Sequence, residues 1–117
     1  MKSPRLSVVP ATFAAAIMGA AVALAALAHA DPDTDFAYEL KTYGIYGARD
    51  YNAWLGKITC ERLRNGVDGD ADKSVHFISQ NLQKGTTQAQ AWKFLGASIN
   101  TYCPGERPVY ERAAAQH

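Results

Sequence analysis

Thr101-Tyr102-Cys103-Pro104-Gly105 contains one of the two cysteines in this 117-residue chain, and Cys60 is the other. Each cysteine lies in a segment with the apolar spacing of an amphipathic helix. Pro104 cannot continue a helix, and Gly105 reinforces the stop, so Cys103 falls in a last helical turn. We therefore predict one disulfide between Cys60 and Cys103, which would tie the middle of one helix to the end of another.

The first 30 residues have the pattern of a signal peptide. Lys2 and Arg5 give a positive start, a mildly apolar run covers about 6–28, and Ala28-His29-Ala30 supplies the small-x-small site that signal peptidase needs. A retained membrane anchor is the alternative, since the run approaches spanning length. A proline and a glycine interrupt the run, which favours cleavage. We predict export to the cell envelope or the extracellular space, without stable membrane insertion after cleavage.

The exported part is close to neutral. Removing Lys2 and Arg5 from the twelve Lys+Arg leaves ten, against eleven Asp+Glu, which gives a formal charge of −1. A near-neutral domain without a basic cluster argues against nucleic acid as a partner. An oxidising destination allows a disulfide to persist, with two buried free thiols as the alternative. Two distant cysteines are too few ligands for a zinc site.

Helical patterns cover most of residues 31–104, and no strand pattern is present. The fold class predicted is all-α, a small bundle of about four helices with the disulfide joining helix 2 and helix 4. Thr87 and Gln90 have the spacing of a capping box at the start of the fourth helix. The predicted organisation is a signal peptide over 1–30, a helical domain over 31–104 and a mobile tail over 105–117.

Four aromatic residues of the second and fourth helices are predicted to supply much of the core: Tyr51, Trp54, Trp92 and Tyr102. The same side chains are the candidate lining of an apolar ligand pocket between the helices.

The order of the short motifs resembles a known family. The motifs are Phe36-x-x-x-Leu40, Gly44-Ile45, Cys60-x-x-Leu63 with Gly66, the Thr-x-x-Gln-Ala run at 87–91, and Tyr102-Cys103-Pro104. Over residues 33–104 they resemble the small secreted mycobacterial proteins of the domain of unknown function family 732. The resemblance implies a secreted helical domain with one disulfide, no assigned activity and no catalytic residues. Thr59 and Lys93 depart from it, being polar where less polar residues are expected.

The patterns that could bind a metal are incomplete. Asp68-Gly69-Asp70-Ala71-Asp72 spaces its carboxylates as a calcium loop begins, but Lys73 and Ser79 replace the required glycine and glutamate. We interpret this stretch as a helix-capping turn. His76 is interpreted as a helix surface residue, because metal sites need two to four ligands. Haem ligation by one histidine or tyrosine is the alternative.

No serine lies in a strand-turn-helix nucleophile motif, and the acidic residues crowd helix ends and turns. We therefore predict that the protein is not an enzyme and has no metal or cofactor. The predicted function is a non-catalytic interaction module that binds a protein or an envelope component. The alternative is a carrier of a small apolar ligand such as a lipid or haem. An exposed apolar patch would favour the first, and an enclosed cavity of roughly 300 Å³ the second.

Overall fold

The computed structural model describes residues 31–116, and the predicted signal peptide lies outside them. These residues contain helices α1 (Pro32–Thr42), α2 (Arg49–Arg64), α3 (Ala71–Asn81), α4 (Gln88–Tyr102) and α5 (Arg107–Gln116), with a 3₁₀ turn at Pro104–Glu106. No strand occurs within 31–116. The all-α class is confirmed, and α1 to α4 correspond to the four predicted helices.

The capping box at the start of α4 is present as predicted. The Thr87 hydroxyl accepts a 3.1 Å hydrogen bond from the backbone N–H of Gln90. The Gln90 side-chain oxygen Oε1 accepts a 2.9 Å bond from the backbone N–H of Thr87. Gln90 Nε2 also donates to the Tyr43 carbonyl, at 3.1 Å. Gly44, at φ +78°, ends α1 beside this contact in the left-handed conformation that suits glycine. One side chain therefore caps α4 and holds the end of α1 against it.

Helix α4 is the centre of the bundle and contacts all four other helices. Its buried face carries Phe94, Leu95 and Ile99, which are at most 1% exposed. The larger buried side chains packed around it are Phe36, Leu40, Leu55 and Ile78. The polar Thr59 is also fully buried, and its hydroxyl donates a 2.8 Å hydrogen bond to the Leu55 carbonyl of the preceding turn. This bond explains how α2 accommodates a polar residue where an apolar one was expected.

The predicted disulfide joins α2 to the residue that ends α4. Cys60 and Cys103 are bonded, with their Cα atoms 5.8 Å apart, and both are almost completely buried. The bond links two helices that also pack directly on each other. It is therefore a structural cross-link within the core.

The structure differs from the predicted tail at the carboxyl end. Residues 107–116 form α5, with Ala113 buried and Val109 and Tyr110 packed against the core. Pro108 is tolerated because it lies in the first turn, where backbone amides have no helical partner. The alanines that follow are strong helix formers. The proline and the charged residues of this segment led to the prediction of a tail, whereas residues 107–116 form a helix.

The core also differs from the prediction in its aromatic residues. Tyr51 and Trp54 are 45% and 49% exposed, so they contribute little to the interior. The buried stripe of α2 lies beside them and includes the small residue Gly56. The central aromatic contact is instead an edge-to-face pair between Phe36 and Phe94, with ring centroids 5.4 Å apart.

Candidate functional site

Tyr51 and Trp54 form an ordered aromatic surface on α2, which we call the aromatic pair. Their ring centroids are 5.7 Å apart, and the ring planes are inclined by 38°. The Tyr51 hydroxyl donates a 2.7 Å hydrogen bond to the backbone carbonyl of Asn81 at the end of α3. This bond fixes the orientation of one ring of the pair. The pair presents large apolar faces to solvent from a helix that the disulfide anchors.

The other two residues predicted to line a pocket lie elsewhere. Trp92 makes an edge contact with Tyr110 of α5, at a centroid distance of 6.2 Å. Tyr102 packs on Phe36 at 5.1 Å, and its hydroxyl donates a 2.8 Å hydrogen bond to Asp33 Oδ1. The structure thus brings Tyr51 and Trp54 together but gives Trp92 and Tyr102 different neighbours. The predicted four-residue pocket is not formed as a unit.

A cleft of about 290 Å³ lies between α1, α4 and α5, and we call it the α5 cleft. Glu39 of α1 and Tyr43, just after that helix, line one side, Lys93 lines it from α4, and Arg107 and Tyr110 line it from α5. The sequence analysis did not predict this cleft, because it assigned the residues of α5, which form one of its walls, to a mobile tail. The alanine run after Pro108 was the available signal for that helix.

The polar groups of the α5 cleft have defined neighbours. The Tyr43 hydroxyl donates a 2.9 Å hydrogen bond to Glu39 Oε2, and Lys93 Nζ lies 5.3 Å from the centre of the Tyr43 ring. Arg107 donates a hydrogen bond to the side-chain oxygen of Asn100. The hydrogen bond to Glu39, followed by burial and the Glu39 charge, raises the pKa of Tyr43 above its ordinary value. Tyr43 is therefore a neutral hydroxyl at physiological pH.

The acidic stretch before α3 acts as a structural turn. Asp68 is buried and accepts hydrogen bonds from Arg62 Nε at 3.0 Å, from Arg62 Nη2 at 2.9 Å and from the Ser74 hydroxyl at 3.0 Å. Asp70 caps α3 by accepting a 3.0 Å bond from the Lys73 amide. The interpretation as a capping turn is confirmed, and the first two carboxylates of the calcium-like spacing already have protein partners.

Neither a metal-binding cluster nor a membrane-spanning helix is found within residues 31–116. No group of three or more His, Cys, Asp and Glu side chains is arranged there to hold a metal ion. His76 is exposed on α3, as predicted. Within the same residues, no helix combines the length and the apolar character required to cross a bilayer.

Comparison with known proteins finds one matching family and two similar proteins. Residues 32–105 match the family described as protein of unknown function, DUF732. The chain belongs to this family. Two uncharacterized Mycobacterium tuberculosis proteins, from strains CDC 1551 / Oshkosh and H37Rv, are each 51% identical to it over 117 residues. Each alignment covers 99% of this chain and 100% of the relative. No solved structure matches the chain.

Membership of the DUF732 family confirms the resemblance noted in the sequence. The match ends at Gly105. It therefore includes both cysteines and the aromatic pair, whereas α5 lies beyond it.

Proposed function

We propose that this DUF732 protein is exported and acts as a non-catalytic interaction module in the cell envelope or outside the cell. Its aromatic pair, Tyr51 and Trp54, is the surface that contacts a protein partner. The observation that carries the proposal is that two large aromatic side chains, each nearly half exposed, lie against each other on one helix. The amino-terminal sequence pattern supports export.

Exposed Trp and Tyr side chains are well suited to binding a protein partner. Trp and Tyr are enriched among the residues that dominate protein interfaces, because they bury a large area with few rotatable bonds. The bond from the Tyr51 hydroxyl to the Asn81 carbonyl fixes that ring before any partner arrives. A ring that is already ordered loses less side-chain entropy on binding. The aromatic pair therefore has the composition and the rigidity of an interface centre.

The carrier of a small apolar ligand remains the alternative, but it has less support. Of the four aromatic side chains that were to line its pocket, Tyr51 and Trp54 contact each other, whereas Trp92 and Tyr102 have different neighbours. Where α1, α2 and α4 meet, Phe36 and Tyr102 pack so closely on Gly56 that a Cβ at Gly56 would lie 3.0 Å from each ring. The α5 cleft is lined by charged and hydroxyl groups as well as apolar ones. We therefore favour the interaction module.

Export can be tested by native mass spectrometry of the protein recovered from the medium of cells that produce it. We expect a chain that begins at Asp31, with the two-dalton loss of one disulfide. A chain that retains residues 1–30 and stays with the cells would contradict export. The same spectrum would report any ligand that remains bound, and an apolar ligand would favour the carrier.

The interface can be tested by capture from the envelope fraction and the medium with Trp54→Ser and Tyr51→Ser. The control is Tyr38→Ser, which removes a 64% exposed tyrosine from α1. A protein bound by the wild type and the control, but lost with both aromatic-pair variants, would support the proposal. A partner retained by both variants would contradict this interface. Capture of a polysaccharide would show that the pair binds a glycan and not a protein.

A further inference from the structure

We propose that the α5 cleft binds a small organic anion, with a carboxylate or a phosphate monoester attached to a short apolar group. This inference is independent of the proposed function, because it uses none of the residues of the aromatic pair. The cleft lies between three helices and has a volume of about 290 Å³, at the small end of the range for ligand pockets. Its size suits a metabolite-sized ligand.

The charges that line the cleft favour an anion. Lys93 and Arg107 both line it, and Glu39 is its one lining carboxylate. Glu39 already accepts the hydrogen bond of the Tyr43 hydroxyl, at 2.9 Å. Among residues 31–116, no carboxylate lies within ion-pair distance of Lys93, whose ammonium group lies near the Tyr43 ring. The cleft therefore has one more positive than negative charge, and Lys93 makes no ion pair there.

Arg107 donates a hydrogen bond to the Asn100 side chain, and its ion pair with a carboxylate is weak. Its nearest carboxylate is Glu111, at 3.9 Å from Nε, and both side chains are more than half exposed. An exposed pair of this kind contributes little, whereas guanidinium binds carboxylates and phosphates through two parallel hydrogen bonds. Both cations line one cleft of about 290 Å³. Lys93 and Arg107 thus attract the same group.

The remaining walls suit an apolar group. Tyr43, just after α1, and Tyr110 of α5 line the cleft, together with Ala97 and Ile99 of α4. Gly96 allows the Tyr110 ring to lie directly on α4, because a Cβ at Gly96 would be 3.3 Å from that ring. The apolar carbons of a ligand that contact these walls would be removed from water, while its anionic group contacts Lys93 and Arg107.

The test is a titration of the ¹⁵N-labelled domain with hexanoate and with hexyl phosphate, and hexanol serves as the uncharged control. We expect saturable shifts at the amides of Tyr43, Gly96 and Tyr110, with a Kd in the millimolar range for ligands this small. Added salt should weaken binding. Binding of either anion, without equal binding of hexanol, supports the proposal and tells which anionic group is preferred. Equal binding of hexanol, no saturable shift, or shifts centred on the aromatic pair would overturn it.

Charge variants test whether the two cations are responsible. Lys93→Gln combined with Arg107→Gln should weaken binding of the anions about tenfold, because two nearby charges are removed. Lys84→Gln removes one exposed positive charge outside the cleft and should leave binding unchanged. Unchanged thermal melting of the double variant shows that the fold is intact. An affinity unaffected by the double substitution, or reduced equally by Lys84→Gln, would overturn the proposal.

Discussion

Gly56 lies so close to the ring of Phe36 that a Cβ atom added to this glycine would be 3.0 Å from Phe36 Cζ. The ring of Tyr102 would be equally near, at 3.0 Å from its Cε2. Helices α1, α2 and α4 therefore meet at a point where an added Cβ would force the neighbouring rings to shift. The disulfide lies one turn further along α2, at Cys60. The close packing at Gly56 and the covalent bond therefore hold α2 against α4 in the same region.

Gly56→Ala should destabilise the domain by up to about 2 kcal/mol. Alanine gains about 1 kcal/mol of helix propensity, but overpacking a filled core typically costs 1–3 kcal/mol. Phe36 is only 1% exposed and cannot move into solvent. Chemical denaturation is the measurement, and Gly105→Ala is the control because nothing lies within 4 Å of its added Cβ. A variant as stable as the wild type would show that the ring can move aside.

Asp68→Asn should destabilise the domain by about 2–4 kcal/mol, since removing one partner of a buried ion pair leaves the other charge uncompensated. The Asp68 side chain is 2% exposed and receives two hydrogen bonds from Arg62 and one from Ser74. The matched change Glu61→Gln alters an exposed carboxyl group on the neighbouring helix and should have little effect. Equal denaturation midpoints for the two variants would argue against a structural role for Asp68.

The first four helices and their cross-link could be predicted because their signals are local. The Thr87–Gln90 capping box and the glycines at 44 and 66 mark helix ends through backbone chemistry that acts within a few residues. Both glycines do adopt positive φ, at 78° and 75°. The disulfide followed from the even cysteine count and the expected oxidising compartment. None of these inferences required knowledge of which helix faces pack together.

Helix α5 and the exposure of Trp54 could not be predicted, because both depend on packing between distant segments. A ten-residue helix is marginal by itself and is stabilised by the surface it covers. In α5 that stabilisation comes from burying Ala113 and packing Tyr110 against Gly96 of α4. The α5 cleft, which needs this helix as a wall, was missed for the same reason. Apolar spacing placed Tyr51 and Trp54 on one face of α2 but did not reveal that this face remains partly uncovered.

Tyr43 should titrate at higher pH than an unperturbed tyrosine, and Glu39→Gln should bring its pKa back toward the ordinary value of about 10. Because the pKa of Tyr43 is raised in the folded state, its contribution to stability is fully present below about pH 10. It is lost as pH rises through the folded pKa. NMR titration of the tyrosine rings makes the measurement, with Glu61→Gln as the control. If Glu39→Gln left the Tyr43 titration unchanged, the charge of the Glu39 carboxylate would not be the cause of the raised pKa.

Reduction of the disulfide should lower the melting temperature by more than about ten degrees, since a cross-link over this separation is worth roughly 4 kcal/mol by chain entropy. The two cysteines are 43 residues apart in sequence, and the loop between them contains all of α3 and α4. The effect should be large because a domain of this size buries only about 60% of its unfolded surface.

Calorimetry with and without reductant makes the measurement. The double variant Cys60→Ala with Cys103→Ala should melt at a lowered temperature that reductant does not change further. Melting of the wild type that is insensitive to complete reduction would mean that the packing of α2 on α4, including the Gly56 contact, holds the helices together without the bond.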